Sequence, residues 1–319
     1  MHNTVTMPDT IQQQLLKQAS QILARAGSPP PGQAWQGVPS HCPGITLFQQ
    51  HCGHPSQPAL YQPGVVMLLS GEKHLHIGSR QYTYNSRQGL VMTSPFPALC
   101  QVDASAGTPL VGLYIALQRE QVATLLAQID HYHASLPATV RQGSASGISL
   151  FEVSPRVQQA TTALLATLAD PLAARLFGDS CTQALLYALL DQETIALHCR
   201  QWVAQDGQYA RFIKATAYIQ SNLATALAVP AIARHAGLSE SSLNRAFKRY
   251  AADTPLQYIK KVRLNQAHTQ LQSSSCTIQH VAHAVGYESV SQFSRDYKRY
   301  FGSSPRQHRH TPPAAAPAQ

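Results

Sequence analysis

The chain has 319 residues, of which 44% are hydrophobic and 12% charged, with a formal net charge of +9 at pH 7 and six cysteines. This length suggests about two domains, and the apolar content suffices for packed cores, which sets disordered classes aside. No run approaches the ~18 consecutive apolar residues of a membrane span, so no membrane association is expected.

Residues 11–25, IQQQLLKQASQILAR, carry apolar side chains at helical spacing and run into AGSPPPGQ, a breaker cluster that reads as a linker. The start MHNTVTMPDT lacks a signal core, and the cysteines at 42, 52, 100, 181, 199 and 276 form no compact disulfide framework. Free thiols in a reducing, cytoplasmic compartment are the expectation.

From 45 to 117 the texture turns to short β-type runs: ITLFQ, GVVMLLSG, KHLHIGS, QYTYN, GLVMTS, ALCQVD and LVGLYIAL. Gly, Pro, Asn and Ser punctuate them at intervals that suit an antiparallel sandwich or barrel. Beyond Leu117 the pattern is helical, near 119–131, 155–169 and 179–203, and these stretches are apolar around much of their circumference. They should be buried against the β region or against a second copy, which makes a homodimer seam plausible.

QWVAQDGQ (201–208) marks a charge boundary. From 207 onward there are 14 Lys and Arg against four acids, a balance of +10, while residues 1–206 hold 10 bases and 11 acids, a balance of −1. Positive charge confined to the last third suggests a footprint for a polyanion, because neutralising phosphates releases counterions.

Within that last third one pattern occurs twice. SSLNRAFKRY (241–250) and SQFSRDYKRY (291–300) share Ser, Arg, Lys, Arg and Tyr at an offset of 50, and VPAIARHAGL (229–238) aligns with IQHVAHAVGY (278–287) at an offset of 49. Each copy reads as helix, Gly-containing turn, helix. Gly237 and Gly286 suit the positive φ that ends the first helix, and Ser239 and Ser289 suit the cap of the second.

In the second helices Leu243, Phe247 and Tyr250, and likewise Phe293, Tyr297 and Tyr300, form the expected buried stripe, so Asn244, Arg245, Lys248, Ser294, Arg295 and Lys298 face outward. An outward Arg near the N-terminal half of such a helix can reach a guanine edge bidentately, and the Lys residues further on meet phosphates. Between the copies, PLQYIKKVRLNQAHTQLQ (255–272) is helical in period, and at ~1.5 Å rise it spans about 27 Å, close to one ~34 Å turn of DNA. One chain would then carry two asymmetric half-site readers on a rigid spacer.

These residues resemble the AraC/XylS family of bacterial transcription regulators. GLSESSLNRAFKRYAADTPLQYIKKVRLNQA and VAHAVGYESVSQFSRDYKRYFGSSPRQHR are similar to its double helix-turn-helix domain. The resemblance implies binding to asymmetric double-stranded promoter sites and contact with RNA polymerase. Carried over by position, it gives base readers at Ser241, Asn244, Arg245, Val290, Ser291, Ser294 and Arg295, with phosphate contacts at Ser239, Lys248, Arg249, Ser289, Lys298 and Arg299. Residues 45–117 also resemble a family-specific N-terminal regulatory type, at Tyr61, Pro63, Gly71, Lys73, Gly78, Tyr82, Tyr84, Gly89 and Pro97.

The implied fold class is α+β: an N-terminal cupin-like antiparallel β barrel with flanking helices, then an all-α double helix-turn-helix domain. The expected divisions are an N-terminal helix and linker (1–40), a sensing and dimerisation domain (41–205), a DNA-binding domain (206–310) and a disordered tail (311–319).

Other chemistry is sparse. Phe48, Met67, Tyr82 and Tyr84, with His74 and His76, are the candidates for a small-molecule effector pocket. His74 and His76 alternate on a strand and so share a face, but Gln81 stands where a carboxylate ligand would be expected, so no metal is assigned and no cofactor is expected. His41, Cys42, His51, Cys52 and His54 match no zinc spacing, although a redox-active thiol at Cys42 or Cys52 stays open. No nucleophile elbow, paired acidic motif or phosphate loop is present, so catalysis is not expected. The rival is a cupin-like metal-dependent enzyme with a DNA-binding anchor.

Overall fold

The computed structural model describes residues 9–25, 35–105, 107–132, 147–273 and 276–309. The linker expected at 26–33 and the tail expected at 311–319 lie outside the described residues. Helix α1 (Asp9–Ala24) buries Leu15, Ala19, Ile22 and Leu23, at i, i+4, i+7 and i+8. The strands β1 (Trp35–Pro39), β2 (Ile45–Gln50), β3 (His54–Tyr61), β4 (Gly64–Ser70), β5 (Glu72–Ile77), β6 (Arg80–Asn85), β7 (Gln88–Met92), β8 (Phe96–Asp103) and β9 (Leu110–Ala116) follow. Helix α2 (Arg119–Tyr132), strand β10 (Ile148–Glu152) and helices α3 (Pro155–Leu168), α4 (Pro171–Leu190) and α5 (Glu193–Val203) complete this region.

All the strand pairings are antiparallel, in the order β1-β2-β9-β4-β7-β6-β5-β8-β3, with β10 also on β7. Among the described residues the path ends at β1 and β3 and does not close. Between β6 and β7 the only register pair is Asn85 with Gln88, so this hairpin is a corner joining two halves of a curled, barrel-like sheet. Three strands are not expected from the sequence: β1 and β3 contain prolines, which edge strands tolerate because one row of N–H groups needs no partner, and β10 lies between the stretches 119–131 and 155–169 that read as helical. The helical stretch 179–203 is split at Asp191 and Gln192, and α4 begins earlier than its periodicity suggests, because the Asp170 carboxylate accepts from the Leu172 and Ala173 amides ahead of Pro171.

Helices α6 (Gln208–Ser221), α7 (Val229–His235), α8 (Glu240–Tyr250), α9 (Pro255–Ser273), α10 (Ile278–Ala284), α11 (Val290–Phe301) and α12 (Pro305–His308) form the C-terminal region. One continuous apolar core runs from Leu15 through the sheet and on to Val262. A second core is separate and gathers Leu264, Ala267, Leu271, Val281, Ala282, Val285, Tyr287, Phe293 and Tyr297. Helix α9 therefore serves both: Tyr258, Ile259 and Val262 fill the first core, while Leu264, Ala267 and Leu271 fill the second. Among the described residues no helix is long and apolar enough to cross a membrane.

Among the described residues α9 and α11 touch β3, and two further junctions between the sheet side and the C-terminal region stand out. The loop after β7 is buried at Thr93 and Ser94; the Thr93 hydroxyl bonds both the Tyr209 hydroxyl on α6 and, at 2.8 Å, His198 Nε2 on α5. Burial pushes His198 down to about 4, so it is neutral at this junction near pH 7. Nearby, the Tyr258 hydroxyl on α9 donates to the Pro95 carbonyl at 2.8 Å. At the second place, the β5–β6 hairpin tip lies on the α8–α9 junction: a Cβ at Gly78 would stand 2.6 Å from Ala252 Cβ, and the Arg80 guanidinium donates to the Arg249 carbonyl at the end of α8. A guanidinium there complements the carbonyl-rich helix terminus.

Candidate nucleic-acid interface

The two repeated units close with the same backbone chemistry. In the first, Leu238 N donates to Ala233 O at 2.9 Å and Gly237 takes φ +66°; in the second, Tyr287 N donates to Ala282 O at 2.9 Å and Gly286 takes φ +84°. This six-to-one bond with a left-handed Gly is the Schellman termination, which satisfies carbonyls that a helix end leaves open. Ser239 Oγ then accepts from Ser242 N and Ser289 Oγ from Gln292 N, so each second helix starts on a serine cap.

The two glycines differ in what surrounds them. A Cβ at Gly286 would stand 2.3 Å from the Leu223 carbonyl oxygen and 2.6 Å from Arg263 Nη2, whereas nothing lies within 4 Å of one at Gly237. Gly237→Ala is expected to cost only the ~1–2 kcal/mol of a left-handed non-glycine residue, and Gly286→Ala distinctly more. Urea midpoints of the two variants check this; equal shifts would contradict it.

Helix α8 buries Leu243, Ala246, Phe247 and Tyr250, and α11 buries Phe293, Asp296 and Tyr297. Tyr300 is half-buried, its hydroxyl accepting from Asn265 Nδ2 at 3.1 Å. On the opposite faces Ser241, Arg245, Lys248 and Arg249, and Ser291, Arg295, Lys298 and Arg299, are exposed; Asn244, Val290 and Ser294 are half-buried; and the caps Ser239 and Ser289 are exposed. Steps of about 100° per residue put 241, 244, 245 and 248 on one narrow stripe, and 291, 294, 295 and 298 on its counterpart.

Electrostatics separates these cations from those turned inward. Lys260 Nζ meets Asp296 at 2.7 Å, Lys261 Nζ meets Asp253 at 2.6 Å, and Arg263 donates to the Leu223 and Thr225 carbonyls. Among the described residues, Arg245, Lys248, Arg295 and Lys298 have no carboxylate partner; Arg245 only donates to Ser242 Oγ at 3.1 Å. Arg249 lies over the Tyr250 ring, and Arg299 is held by Asp296 at 2.6 Å although its side chain is 72% exposed. Asp296 is a residue that sequence reasoning missed. Its signal was an acid on the buried stripe of a basic helix, where only an ion-paired carboxylate is tolerated.

The effector candidates divide by strand alternation. The register Phe48–Gly112–Leu68 puts Phe48 on one face, while Met67 faces α3, where Thr161 Oγ1 lies 3.8 Å from its sulfur. The cavity beside Met67 is about 10 Å³, room for a single water. Tyr84 is fully buried and Tyr82 half-buried on the inner side of β6, whereas His74 and His76 lie on the outer face of β5.

The inner face of β5 instead carries Lys73, a matching point of the N-terminal regulatory type that is not among the expected pocket residues, although its period-two spacing with Leu75 and Ile77 signals it. Lys73 Nζ sits 4.7 Å over the Phe48 ring, and its strand register sets it opposite Tyr84. Tyr61 OH donates to Cys100 Sγ at 3.2 Å beside them. Burial draws the Lys73 ammonium below its ordinary value, and no carboxylate pairs with it among the described residues.

The cysteine–histidine group at 41–54 forms no metal-ligating triad among the described residues. Cys42 is buried against Gly178, and burial, with Asp179 beside it, pushes its thiol up to about 11, whereas Cys52 is exposed.

Comparison with known proteins follows the same division. Residues 41–197 match the family model of the AraC-type transcriptional regulator N-terminus, and residues 232–311 match a helix-turn-helix domain model. The raffinose operon transcriptional regulatory protein RafR of Pediococcus pentosaceus is 34% identical over 99 residues, 31% of this chain and 36% of that protein. The HTH-type transcriptional regulator ArgR of Pseudomonas aeruginosa is 32% identical over 101 residues, 32% of this chain and 31% of that protein. The chain thus spans about a third of the length of these curated relatives. Over nearly the whole chain, the structure of ToxT from Vibrio cholerae with an unsaturated fatty acid bound has the same fold, with a TM-score of 0.58 at 9% identity, covering 85% of this chain and 96% of that one. With a regulatory N-terminal match, a helix-turn-helix match behind it and one shared two-part fold, the chain belongs to the AraC/XylS family of transcriptional regulators.

Proposed function

We propose that the chain is a sequence-specific DNA-binding transcriptional regulator whose helices α8 and α11 enter successive major grooves of one duplex. The observation that carries this is the recurrence, in one register, of exposed cations at Arg245 and Lys248 and at Arg295 and Lys298 that have no acid partner among the described residues. Ser241, Asn244, Arg245, Val290, Ser291, Ser294 and Arg295 are read as facing base edges. Ser239, Lys248, Arg249, Ser289, Lys298 and Arg299 are read as facing phosphates. Helix α9 has 19 residues, about 28 Å at ~1.5 Å rise, and the ~34 Å turn of B-DNA sets the spacing it has to serve.

The direct test is nuclease protection on duplexes selected from a random pool. Two protected segments about one turn, ~10 bp, apart support the reading, and a single segment or an unselective coat overturns it. Lys248→Ala is expected to weaken specific and random duplex alike and to lower the salt slope by about 1. Loss confined to the selected site would contradict a phosphate contact.

The sheet is read as the sensor. ToxT, of the same fold, has been solved with a fatty acid bound, and the inward ammonium of Lys73 among Phe48, Tyr61 and Tyr84 suits an anionic or carbonyl-bearing small molecule. RNA polymerase is the further partner of a family regulator at a promoter. A homodimer is supported by α4, which leaves Leu172 66%, Leu176 62% and Phe177 58% exposed on one side. The named relatives are transcriptional regulators, and that reading is adopted over an enzymatic one.

A further inference from the structure

The outer face of the sheet holds a group that the DNA-binding and sensing readings do not use. Glu72 and His74 project from β5, and Asp103 projects from β8 directly opposite Glu72. One ligand-capable atom from each lies within 4.8 Å of the others. His74 Nε2 is 3.0 Å from Asp103 Oδ2 and 3.4 Å from Glu72 Oε1. In a tetrahedral site with bonds of ~2.0–2.1 Å, neighbouring ligand atoms stand about 3.3–3.4 Å apart, so these two edges are already near the coordinating spacing.

The surrounding residues leave the right atoms free. Asn85 Nδ2 donates to Glu72 Oε2 at 2.9 Å, and Gln101 Nε2 to Asp103 Oδ1 at 3.3 Å, so each carboxylate has one oxygen fixed by an amide and the other turned to the imidazole. The far ring nitrogen, His74 Nδ1, is 3.0 Å from Thr83 Oγ1, an oxygen able to accept a hydrogen bond from the Nδ1–H and hold the ring when Nε2 coordinates. Outer partners of this kind orient ligands in metal sites. Two carboxylates and one neutral imidazole balance a doubly charged ion, and the nitrogen favours zinc-like cations over calcium or magnesium.

We infer that Glu72, His74 and Asp103 form a divalent transition-metal site, of zinc type, on the outer face of β5 and β8. Three protein ligands leave a position for water. The ion ties β5 to β8 at the base of the hairpin whose tip, Gly78 to Arg80, lies on α8 and α9. The site is on the sheet's outer face, away from Lys73 and the aromatic interior, so it is a binding site separate from the effector reading.

The test is isothermal titration of the chelator-treated full-length chain with zinc chloride. The wild type should show a saturable site. His74→Ala should weaken it at least ~100-fold, and Thr83→Val should cost roughly 10–100-fold as an outer partner. Asp103→Asn, at a side chain 56% exposed and so tolerant of exchange, should also lose the site, with thermal melting confirming the fold. His76→Ala, on the same face but outside the triad, should bind as the wild type does. No saturable site in the wild type, unchanged isotherms for His74→Ala and Asp103→Asn, or an equal loss in His76→Ala would each overturn the assignment.

Discussion

Replacing Arg245 or Arg295 with Ala should weaken binding to a selected operator by about 5- to 150-fold each, the ~1–3 kcal/mol of a bidentate base contact, and relax the preference at one base pair. Both guanidinium groups are exposed near the middle of a serine-capped helix, and among the described residues neither has a carboxylate to compete with a guanine edge. Their neighbours Arg249 and Arg299 are already engaged, by the Tyr250 ring and by Asp296, and should behave as phosphate contacts with smaller, sequence-independent losses. Competition assays with operator and random duplex separate the two behaviours. If Arg245→Ala and Arg295→Ala lose equally on both duplexes, the base-reading assignment fails.

Breaking α9 should have the other large effect. Ala267 is fully buried in the interior of that helix, within the second core. Proline there removes an intrahelical hydrogen bond and clashes with the preceding turn, at ~3 kcal/mol or more. Ala267→Pro should therefore uncouple the second unit from the first and shrink two protected segments to one, with affinity falling toward nonspecific levels. Leu256→Ala is the control, since Leu256 lies on the same helix but is 60% exposed. Retention of both segments at wild-type affinity in Ala267→Pro would show that α9 is not the spacer.

Much of this molecule was legible because it is written in strong periodicities. The repeat, its glycines, its serine caps and the outward basic stripe all follow from local backbone rules, which a sequence states directly. Leu264, Ala267 and Ile259 were also readable from helical spacing, although Tyr258, the residue that bonds the Pro95 carbonyl, was not, because its role depends on a loop 163 residues away. The edge strands β1 and β3 escaped notice because proline masks alternation, and β10 because its five residues lie among helices.

Site chemistry on the sheet was harder. His74 and His76 share a face, as alternation requires, but the carboxylates beside His74 come from i−2 and from a neighbouring strand, a cross-strand register that sequence spacing does not encode. Lys73 was overlooked as a pocket residue for a related reason: a charged residue reads as outward until the strand on either side is known.

The division of α9 between two cores also bears on how the molecule comes apart. The sensor sheet and the first helix pair share one continuous interior, so they should open as a single cooperative unit. The second pair has its own small interior and touches the rest through α9, the β3–α11 contact and the Gly286 turn against Leu223, so it should open alone at lower free energy. In native-state hydrogen exchange the amides of α10 and α11 would then exchange through a subglobal opening, while those of α8 follow the sensor. The half of the operator read by α11 would be the half released first as denaturant rises.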